Sequence, residues 1–307
     1  MNTVSNKITP IDQAVILMAG KGTRFLPATK CVAKELFPIF DTPALVFHLQ
    51  ELYDSGIKRI CLVISHEKET DVKRLITHDE KLEESLKASG KIKLLDQLNN
   101  LIDNLDITCI FQGEMIGTAG ALYVTKFWTN NKPFALVFGD DICIAEGEQK
   151  PATKQLIEAY ERSGGKAVVG AKKMPRDVIY KYSSIVTGEK LSDDSFEMKD
   201  IIEKPPKGTE PSDLVGMARY IVTPNMFPKI PELKPSKNGE LILTEVFQDI
   251  AKQGDVVTCA FDADYYDGGN KPELFRCIIH QALKSEYADT AVKYMTDAIE
   301  QYKTHKK

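Results

Sequence analysis

The chain has 307 residues, of which 43% are hydrophobic and 27% charged, enough to bury a full core as one large domain or one domain with a modest appendage. Its net charge of −4 excludes a non-specific nucleic-acid binder, which would carry a strongly basic surface. The six cysteines show no zinc spacing, the N-terminal MNTVSNKITP has no apolar core for a signal peptide, and no apolar segment is long enough for a membrane span. We therefore expect a reduced, cytoplasmic protein without a membrane partner.

The first 170 residues alternate between buried strands and helices. An apolar stripe at 45–53 with helical spacing predicts a helix, and the polar segment 66–105 predicts a helical insertion at the surface. Short, continuous apolar runs predict buried strands at 13–19, 58–65, 107–111, 133–138 and 166–170. This order predicts an α/β fold with a Rossmann-like, doubly wound mixed sheet.

The pattern changes after residue 170. Short β-like runs at 183–186, 196–203 and 214–222, separated by turn clusters, predict a smaller and more antiparallel β-rich portion. An apolar stripe from Phe275 to Ile299 predicts one long helix that closes the chain. This helix could pack on the body of the protein or against a second subunit.

The segment AGKGTRFLPATKCVAKELFP, at 19–38, follows the first predicted strand and is rich in glycine and positive charge. In a doubly wound sheet, ligands bind beyond the carboxyl ends of the strands, so Gly20 and Gly22 could let backbone N–H groups approach an anion. Positive charge for this anion would come from Lys21, Arg24, Lys30 and Lys34. Phe25 stands where the dinucleotide fingerprint needs a third glycine, and the Walker A pattern is also absent. The segment predicts a polyphosphate site of another kind, with a glycine turn and solvated lysines as the alternative.

Two acidic residues, Asp140 and Asp141, follow the apolar strand predicted at 133–138. They are therefore expected at the same edge of the sheet as the glycine-rich segment. Because Mg²⁺ is usually held by one or two protein carboxylates and by substrate phosphates, this pair is a candidate magnesium site. Acidic residues of an ordinary turn at a strand end are the alternative.

The sequence AGxGTRFLPATK followed by KELFP resembles the signature of the sugar-phosphate nucleotidylyltransferases, most closely that of the bacterial members that act on UTP and glucose 1-phosphate. The likeness continues to about Leu283. It includes ordered blocks at 112–113, 138–141, 202–205, 219–220, 239–245 and 266–271. The resemblance implies the nucleotidyltransferase fold in a single domain, 1–307. Within it, 1–170 would bind the nucleotide, 171–270 would bind the sugar phosphate, and 271–307 would form a C-terminal helical region.

The resemblance also implies a reaction: UTP and glucose 1-phosphate give UDP-glucose and pyrophosphate in a Mg²⁺-dependent nucleotidyl transfer. Positioning and charge neutralisation carry such a reaction, so no protein nucleophile is needed. The implied catalytic residues are Arg24, Lys34, Asp140 and Lys204. The implied substrate-binding residues are Ala19, Gly20, Gly22, Thr23, Glu35, Gln112, Gly117, Ser183 and Glu203. Asp140 and Asp267 are implied as the metal ligands, and Gln112 has the amide donor and acceptor that suit the edge of a pyrimidine base.

Several positions depart from the usual uridylyltransferase sequence. The stretch 116–121 lacks the lysine and histidine of the common KGLGHA-like sequence, which leaves another nucleoside triphosphate open. Ser183 and Ala218 stand where glycines are usual near the sugar, which leaves another hexose 1-phosphate open. The substrates are expected to be small molecules in each case.

Two other classes of protein remain as alternatives. A non-catalytic regulatory homologue would be marked by loss of Arg24, Asp140, Lys204 or Asp267, and all four are present. A nicotinamide-dependent oxidoreductase is disfavoured by Phe25. The five histidines form no sequence cluster, and we assign them no chemistry. Relatives commonly form dimers or tetramers, so we expect a homo-oligomer.

Overall fold

A large mixed sheet runs through the computed structural model, which describes residues 8–113 and 117–305. In these residues, the strands are β1 (Gln13–Leu17), β2 (Pro38–Ile39), β3 (Thr42–Pro43), β4 (Arg59–Ile64), β5 (Asp106–Phe111), β6 (Phe134–Phe138), β7 (Asp141–Ile144), β8 (Ala167–Lys173), β9 (Ser183–Lys190), β10 (Ser195–Glu203), β11 (Leu214–Val222), β12 (Val256–Ala260) and β13 (Asp264–Asp267). The α-helices are α1 (Ala44–Asp54), α2 (Glu69–Ile76), α3 (Glu80–Ala88), α4 (Lys93–Asp103), α5 (Gly117–Tyr123), α6 (Ala152–Arg162), α7 (Arg176–Ile179), α8 (Leu243–Ala251), α9 (Lys271–Lys284) and α10 (Ala288–His305).

In the part of the chain that the structure describes, nine strands form the main sheet, in the order β5-β4-β1-β6-β11-β8-β12-β10-β9. Strand β1 pairs in parallel with β4 and β6, whereas β11 pairs antiparallel with β6 and β8. The predicted α/β fold with a mixed sheet is confirmed. The antiparallel strands after residue 170 extend this same sheet, and β11 lies in its middle.

Helices cover both faces of the sheet, and the side chains of each central strand point alternately into the two cores that these helices form. In β1, Ala14 and Ile16 pack in the core that includes α1 and α6, whereas Val15 packs in the core that includes α5 and α8. All three side chains are fully buried. Burial on both faces explains the continuous apolar runs of the central strands. The parallel pairing of β1 and β6 puts the loops that follow them at the same edge of the sheet.

The helical insertion predicted at 66–105 is confirmed, since it contains α2, α3 and α4. The single C-terminal helix was wrong, because α9 ends at Lys284 and α10 begins at Ala288. Ser285 between them is extended, and its hydroxyl donates to the carbonyl of Ala282 at 2.7 Å and accepts from the N–H of Tyr287 at 3.1 Å. Such local bonds compete with the helix, while the apolar stripe runs across the break.

No helix in residues 8–113 and 117–305 combines the length and the apolar character that crossing a membrane requires.

Candidate active site

A cavity of about 880 Å³ opens at the carboxyl ends of β1 and β6. It brings together most of the predicted site residues from distant parts of the chain. Those that line it are Ala19, Gly20, Arg24, Lys34, Glu35, Gln112, Gly117, Asp140, Ser183, Glu203, Lys204 and Asp267. Gly22 and Thr23 do not line it. One cavity therefore holds the glycine-rich loop, the paired carboxylates and the predicted sugar-phosphate residues.

The glycines of the loop after β1 have different surroundings. Gly20 lines the cavity, and no atom would contact a Cβ placed there. Gly22 has a left-handed backbone (φ 64°) and begins the 3₁₀ turn Thr23–Phe25. The hydroxyl of Thr29 donates to its carbonyl at 2.9 Å, and a Cβ on Gly22 would lie 2.9 Å from Cγ2 of Thr29. Gly22 therefore shapes the turn, while Gly20 leaves room for a ligand.

Lys68, just beyond the end of β4, holds this loop in place through hydrogen bonds from its ammonium group. Its Nζ atom donates to the carbonyl of Met18 at 2.5 Å, to the carbonyl of Gly20 at 2.8 Å and to Oε2 of Glu35 at 2.8 Å. All three donors of the ammonium group are thereby used. Sequence reasoning missed Lys68 because it begins the polar insertion. The available signal was its position after a buried strand that ends at the same edge of the sheet.

Glu35 was predicted to bind substrate, but its side chain is only 1% exposed and its carboxylate faces Lys68. Burial raises the pKa of the Glu35 carboxyl and lowers the pKa of Lys68, because each charged form loses water. The two groups compensate each other as a buried ion pair. This geometry suits Glu35 to holding Lys68 and the loop.

The small sheet of β7 and β13 brings Asp267 next to Asp140. Asp141, the first residue of β7, pairs with Asp267, the last residue of β13. A Cβ placed on Gly269 would lie 2.9 Å from Oδ2 of Asp140 and 3.0 Å from Oδ1 of Asp267. The two carboxylates therefore face one small space that a side chain at position 269 would fill. Sequence reasoning missed this sheet because its strands are only four residues long.

Two cations border the carboxylate pair. The Lys34 ammonium donates to Oδ2 of Asp140 at 2.5 Å, and Nη1 of Arg24 donates to the carbonyl of Gly269 at 3.3 Å. Burial opposes ionisation of Asp140, but Lys34 outweighs it and holds the pKa of this carboxyl below its ordinary value. Burial and the charge of Asp140 raise the pKa of Asp267. Lys34 thus keeps Asp140 ionised, whereas Asp267 beside it is harder to ionise.

This environment fits a divalent cation. The donors are hard carboxylate oxygens from Asp140 and Asp267, and the glycine at position 269 leaves the space beside them open, with Nη1 of Arg24 at its border. The described residues contain no group of three or more His, Cys, Asp or Glu side chains that could enclose a metal by themselves. An ion here would complete its coordination with substrate phosphates and water, as Mg²⁺ commonly does.

The sugar-side residues stand at the ends of β9 and β10, where Ser183 pairs with Glu203. The Ser183 hydroxyl donates to Oε2 of Glu203. Lys204 has a left-handed backbone (φ 44°), which is uncommon and strained for a residue other than glycine. Its ammonium lies 3.6 Å from Oε1 of Glu203. A hydroxyl, a carboxylate and an ammonium thus meet at one wall of the cavity.

Gln112 follows β5, at the opposite edge of the main sheet from β9 and β10, and it lines the cavity together with Gly117, the first residue of α5. Gly117 has φ 89°, and a Cβ there would lie 2.6 Å from the carbonyl oxygen of Leu241. The amide of Ala119 donates to the same oxygen at 3.0 Å. Gly117 is therefore required by the close approach of the chain at 240–241. Ile116, which begins the departing stretch 116–121, lies outside the described residues.

Comparison with known proteins agrees with this geometry. Residues 13–283 match the Nucleotidyl transferase family. The chain is 34% identical, over 94% of its length, to a UTP–glucose-1-phosphate uridylyltransferase of Staphylococcus haemolyticus, of which 98% is covered. An apo UDP-glucose pyrophosphorylase structure is 28% identical, with a TM-score of 0.85 over 89% of this chain and 99% of that one. A UDP-glucose pyrophosphorylase complexed with UDP-glucose is 28% identical, with a TM-score of 0.80 over 90% and 100% of the two chains.

These matches confirm the resemblance and the nucleotidyltransferase fold expected from the sequence motifs. They span the loop after β1, the strand that ends before Asp140 and the segment that carries Asp267. The chain belongs to the nucleotidyl transferase family and is a nucleotidyltransferase.

Proposed function

We propose that the protein transfers the uridylyl group of UTP to glucose 1-phosphate and releases pyrophosphate. A phosphate oxygen of glucose 1-phosphate forms a bond to the α-phosphorus of UTP, while the bond from this phosphorus to the bridging oxygen of pyrophosphate breaks. The observation that carries the proposal is the convergence of Asp140, Asp267, Arg24 and Lys34 beside the glycine-rich loop. The relatives named UTP–glucose-1-phosphate uridylyltransferase support the choice of substrates.

The main task of the site is to bring two anionic substrates together. Two like unit charges 4 Å apart repel by about 4 kcal/mol at an effective dielectric of about 20. Proteins of this family generally use a divalent metal, and we assign Asp140 and Asp267 as ligands of Mg²⁺. When bound, this ion neutralises phosphate charge and stabilises the leaving pyrophosphate.

The positively charged side chains have separate roles in the proposed mechanism. Arg24 binds the β- and γ-phosphates, because a guanidinium can contact two oxygens at once. Lys34 and Lys204 line the same cavity, and we assign them to neutralise the acceptor phosphate. They act by holding both substrates in line and by opposing the charge of the transition state.

The other cavity residues select the substrates. Gln112 and the backbone of Ala19, Gly20 and Gly117 bind the base at one end. At the other end, Glu203 accepts hydrogen bonds from the sugar hydroxyls, and the hydrogen bond from Ser183 holds the Glu203 carboxylate in place.

We place this reaction in the cytoplasm and assign it to a homo-oligomer. Cysteines 31, 61, 109, 143, 259 and 277 are all free thiols, as a reducing compartment requires. Helix α10 buries none of its residues, and large apolar side chains on α9 and α10, such as Phe275 and Tyr294, are more than 60% exposed. A second subunit would cover this surface.

The test is pyrophosphate release by the purified protein with Mg²⁺. Five nucleoside triphosphates would each be paired with glucose, galactose and mannose 1-phosphate. The proposal predicts the highest kcat/KM for UTP with glucose 1-phosphate. Faster release from another pair would reassign the base or the hexose. If no pair releases pyrophosphate, the proposed reaction is wrong.

A further inference from the structure

His48, on α1, lies directly behind the active site but does not line the cavity. Its side chain is buried, with a relative exposure of 1%. Atom Nε2 lies 3.0 Å from the carbonyl oxygen of Gly139, and Nδ1 lies 3.3 Å from Nη2 of Arg219. Because an arginine only donates hydrogen bonds, Nδ1 must accept, and the ring proton is on Nε2. The neutral imidazole therefore donates to Gly139.

Arg219 is itself held in place by the Glu51 carboxylate. Its guanidinium donates through Nε to Oε1 of Glu51 at 3.0 Å and through Nη2 to Oε2 at 2.7 Å. The hydroxyl of Thr153 donates to the same Glu51 carboxylate at 2.6 Å. All of these side chains are buried. The imidazole of His48 is therefore held in one orientation by a fully paired network.

Gly139 is also confined on its other sides. Its N–H donates to the carbonyl of Leu17 at 2.9 Å, and a Cβ on Gly139 would lie 3.0 Å from Cβ of Met18. The peptide group whose oxygen His48 binds carries the N–H of Asp140. The nitrogen of this peptide is bonded directly to the Cα atom that carries the Asp140 side chain. Any rotation of the peptide would therefore move the carboxylate.

We propose that His48 is a positioning residue for Asp140, which it orients through the Gly139–Asp140 peptide. The inference deepens the proposed function and rests on it, since Asp140 is there assigned to the metal. Partners that orient metal ligands commonly change metal affinity or activity by about 10- to 100-fold when they are removed. His48 is a partner of this kind that acts through the main chain.

Three variants test this role. His48→Leu removes the donor to Gly139. His48→Gln keeps it, because the glutamine amide nitrogen can occupy the place of Nε2. Thr153→Val is the matched control, since it weakens the same buried network at Glu51 and leaves the bond from His48 to Gly139 intact.

Two quantities would be measured for each variant. One is the Mg²⁺ concentration for half-maximal pyrophosphate release, and the other is the Kd of Mn²⁺ for the protein–UTP complex by titration calorimetry. We expect His48→Leu to raise both by about 10-fold or more, with the KM for glucose 1-phosphate unchanged at saturating metal. His48→Gln should recover most of the affinity. Thr153→Val should lower the melting temperature without changing the Kd of Mn²⁺.

Equal Mn²⁺ affinity in His48→Leu and the wild type would overturn the inference, and so would equal losses in His48→Leu and Thr153→Val. If His48→Leu does not fold, His48→Asn replaces it, because its shorter amide does not reach the Gly139 carbonyl. A wild-type protein that binds Mn²⁺ with UTP but releases no pyrophosphate would refute the proposed reaction, while the Mn²⁺ titration would still decide the role of His48.

Discussion

The Nζ atom of Lys34 lies 2.5 Å from Oδ2 of Asp140, so a cation of the chain itself already neutralises the carboxylate that we assign to the metal. Replacing Asp140 by asparagine keeps the shape and an acceptor for Lys34 but removes the charge. We expect turnover with saturating Mg²⁺ to fall by about 100-fold or more. The fold should survive, since the side chain is 25% exposed. Turnover near the wild-type value, with an unchanged circular dichroism spectrum, would contradict the assignment.

Arg24, which borders the carboxylate pair through its contact with Gly269, is predicted to bind the triphosphate. Arg24→Ala should remove most activity and raise the KM for UTP, because no other group would replace the contact of the guanidinium with two phosphate oxygens. Arg24→Lys is the control that keeps the charge. Arg24→Lys should lose less activity than Arg24→Ala, but it should remain less active than the wild type because lysine cannot contact two phosphate oxygens at once. Steady-state kinetics with varied UTP measures the difference, and an unchanged KM in Arg24→Ala would rule out this role.

Gly117 and Gly56 separate the effect of close packing from that of backbone strain. They have nearly the same φ, 89° and 88°, but a Cβ would meet Leu241 only at Gly117. Alanine at either position should cost about 1–2 kcal/mol of unfolding free energy through strain. Only Gly117→Ala should also displace the chain at 240–241 and raise the KM for UTP. Urea unfolding and kinetics measure both effects, and equal KM values in the two variants would show that the contact with Leu241 is unimportant.

His78 joins the start of α3 to the end of α4 through two carboxylates. Nδ1 lies 2.6 Å from Oε1 of Glu83, and Nε2 lies 2.8 Å from Oδ1 of Asp103. The bond to Asp103 and then that to Glu83 raise the pKa of His78. A raised pKa in the folded state means that the imidazolium stabilises the fold fully below the unfolded pKa of about 6.5 and loses this effect as pH rises through the folded value.

The melting temperature of His78→Ala should therefore lie furthest below that of the wild type under acidic conditions, and the gap should close above the raised pKa. Thermal unfolding of both proteins across this pH range is the measurement. His305→Ala, which changes another exposed histidine, should show no such trend. A gap that widens toward alkaline pH would show that the carboxylates do not stabilise the charged ring.

The sequence was sufficient where a site residue follows a strong local pattern. Asp140 comes shortly after one apolar strand, and Gly20 comes shortly after another, so their shared edge followed from the parallel sheet. Contacts between side chains and remote parts of the backbone could not be predicted in this way. Lys68 and His48 act through backbone carbonyls that are remote in sequence. Residue type and spacing carry no signal for such contacts, which arise only when the helices and strands pack.

The same reason explains the errors of the sequence analysis. The pairing of Asp141 with Asp267 comes from two strands too short for a periodic signal. The break at Ser285 depends on hydrogen bonds of one hydroxyl, which an apolar stripe does not report. Local apolar patterns thus predicted the main sheet, while short pairings and single capping bonds required the three-dimensional structure.

The most direct test of the account is the position of Mn²⁺ in crystals of the protein with UTP, located by its anomalous scattering. We predict a single strong peak within coordination distance of both the Asp140 and Asp267 carboxylates and of the UTP phosphates. A manganese ion bound to the phosphates with neither carboxylate among its ligands, or UTP bound away from Gly20 and Arg24, would contradict the account.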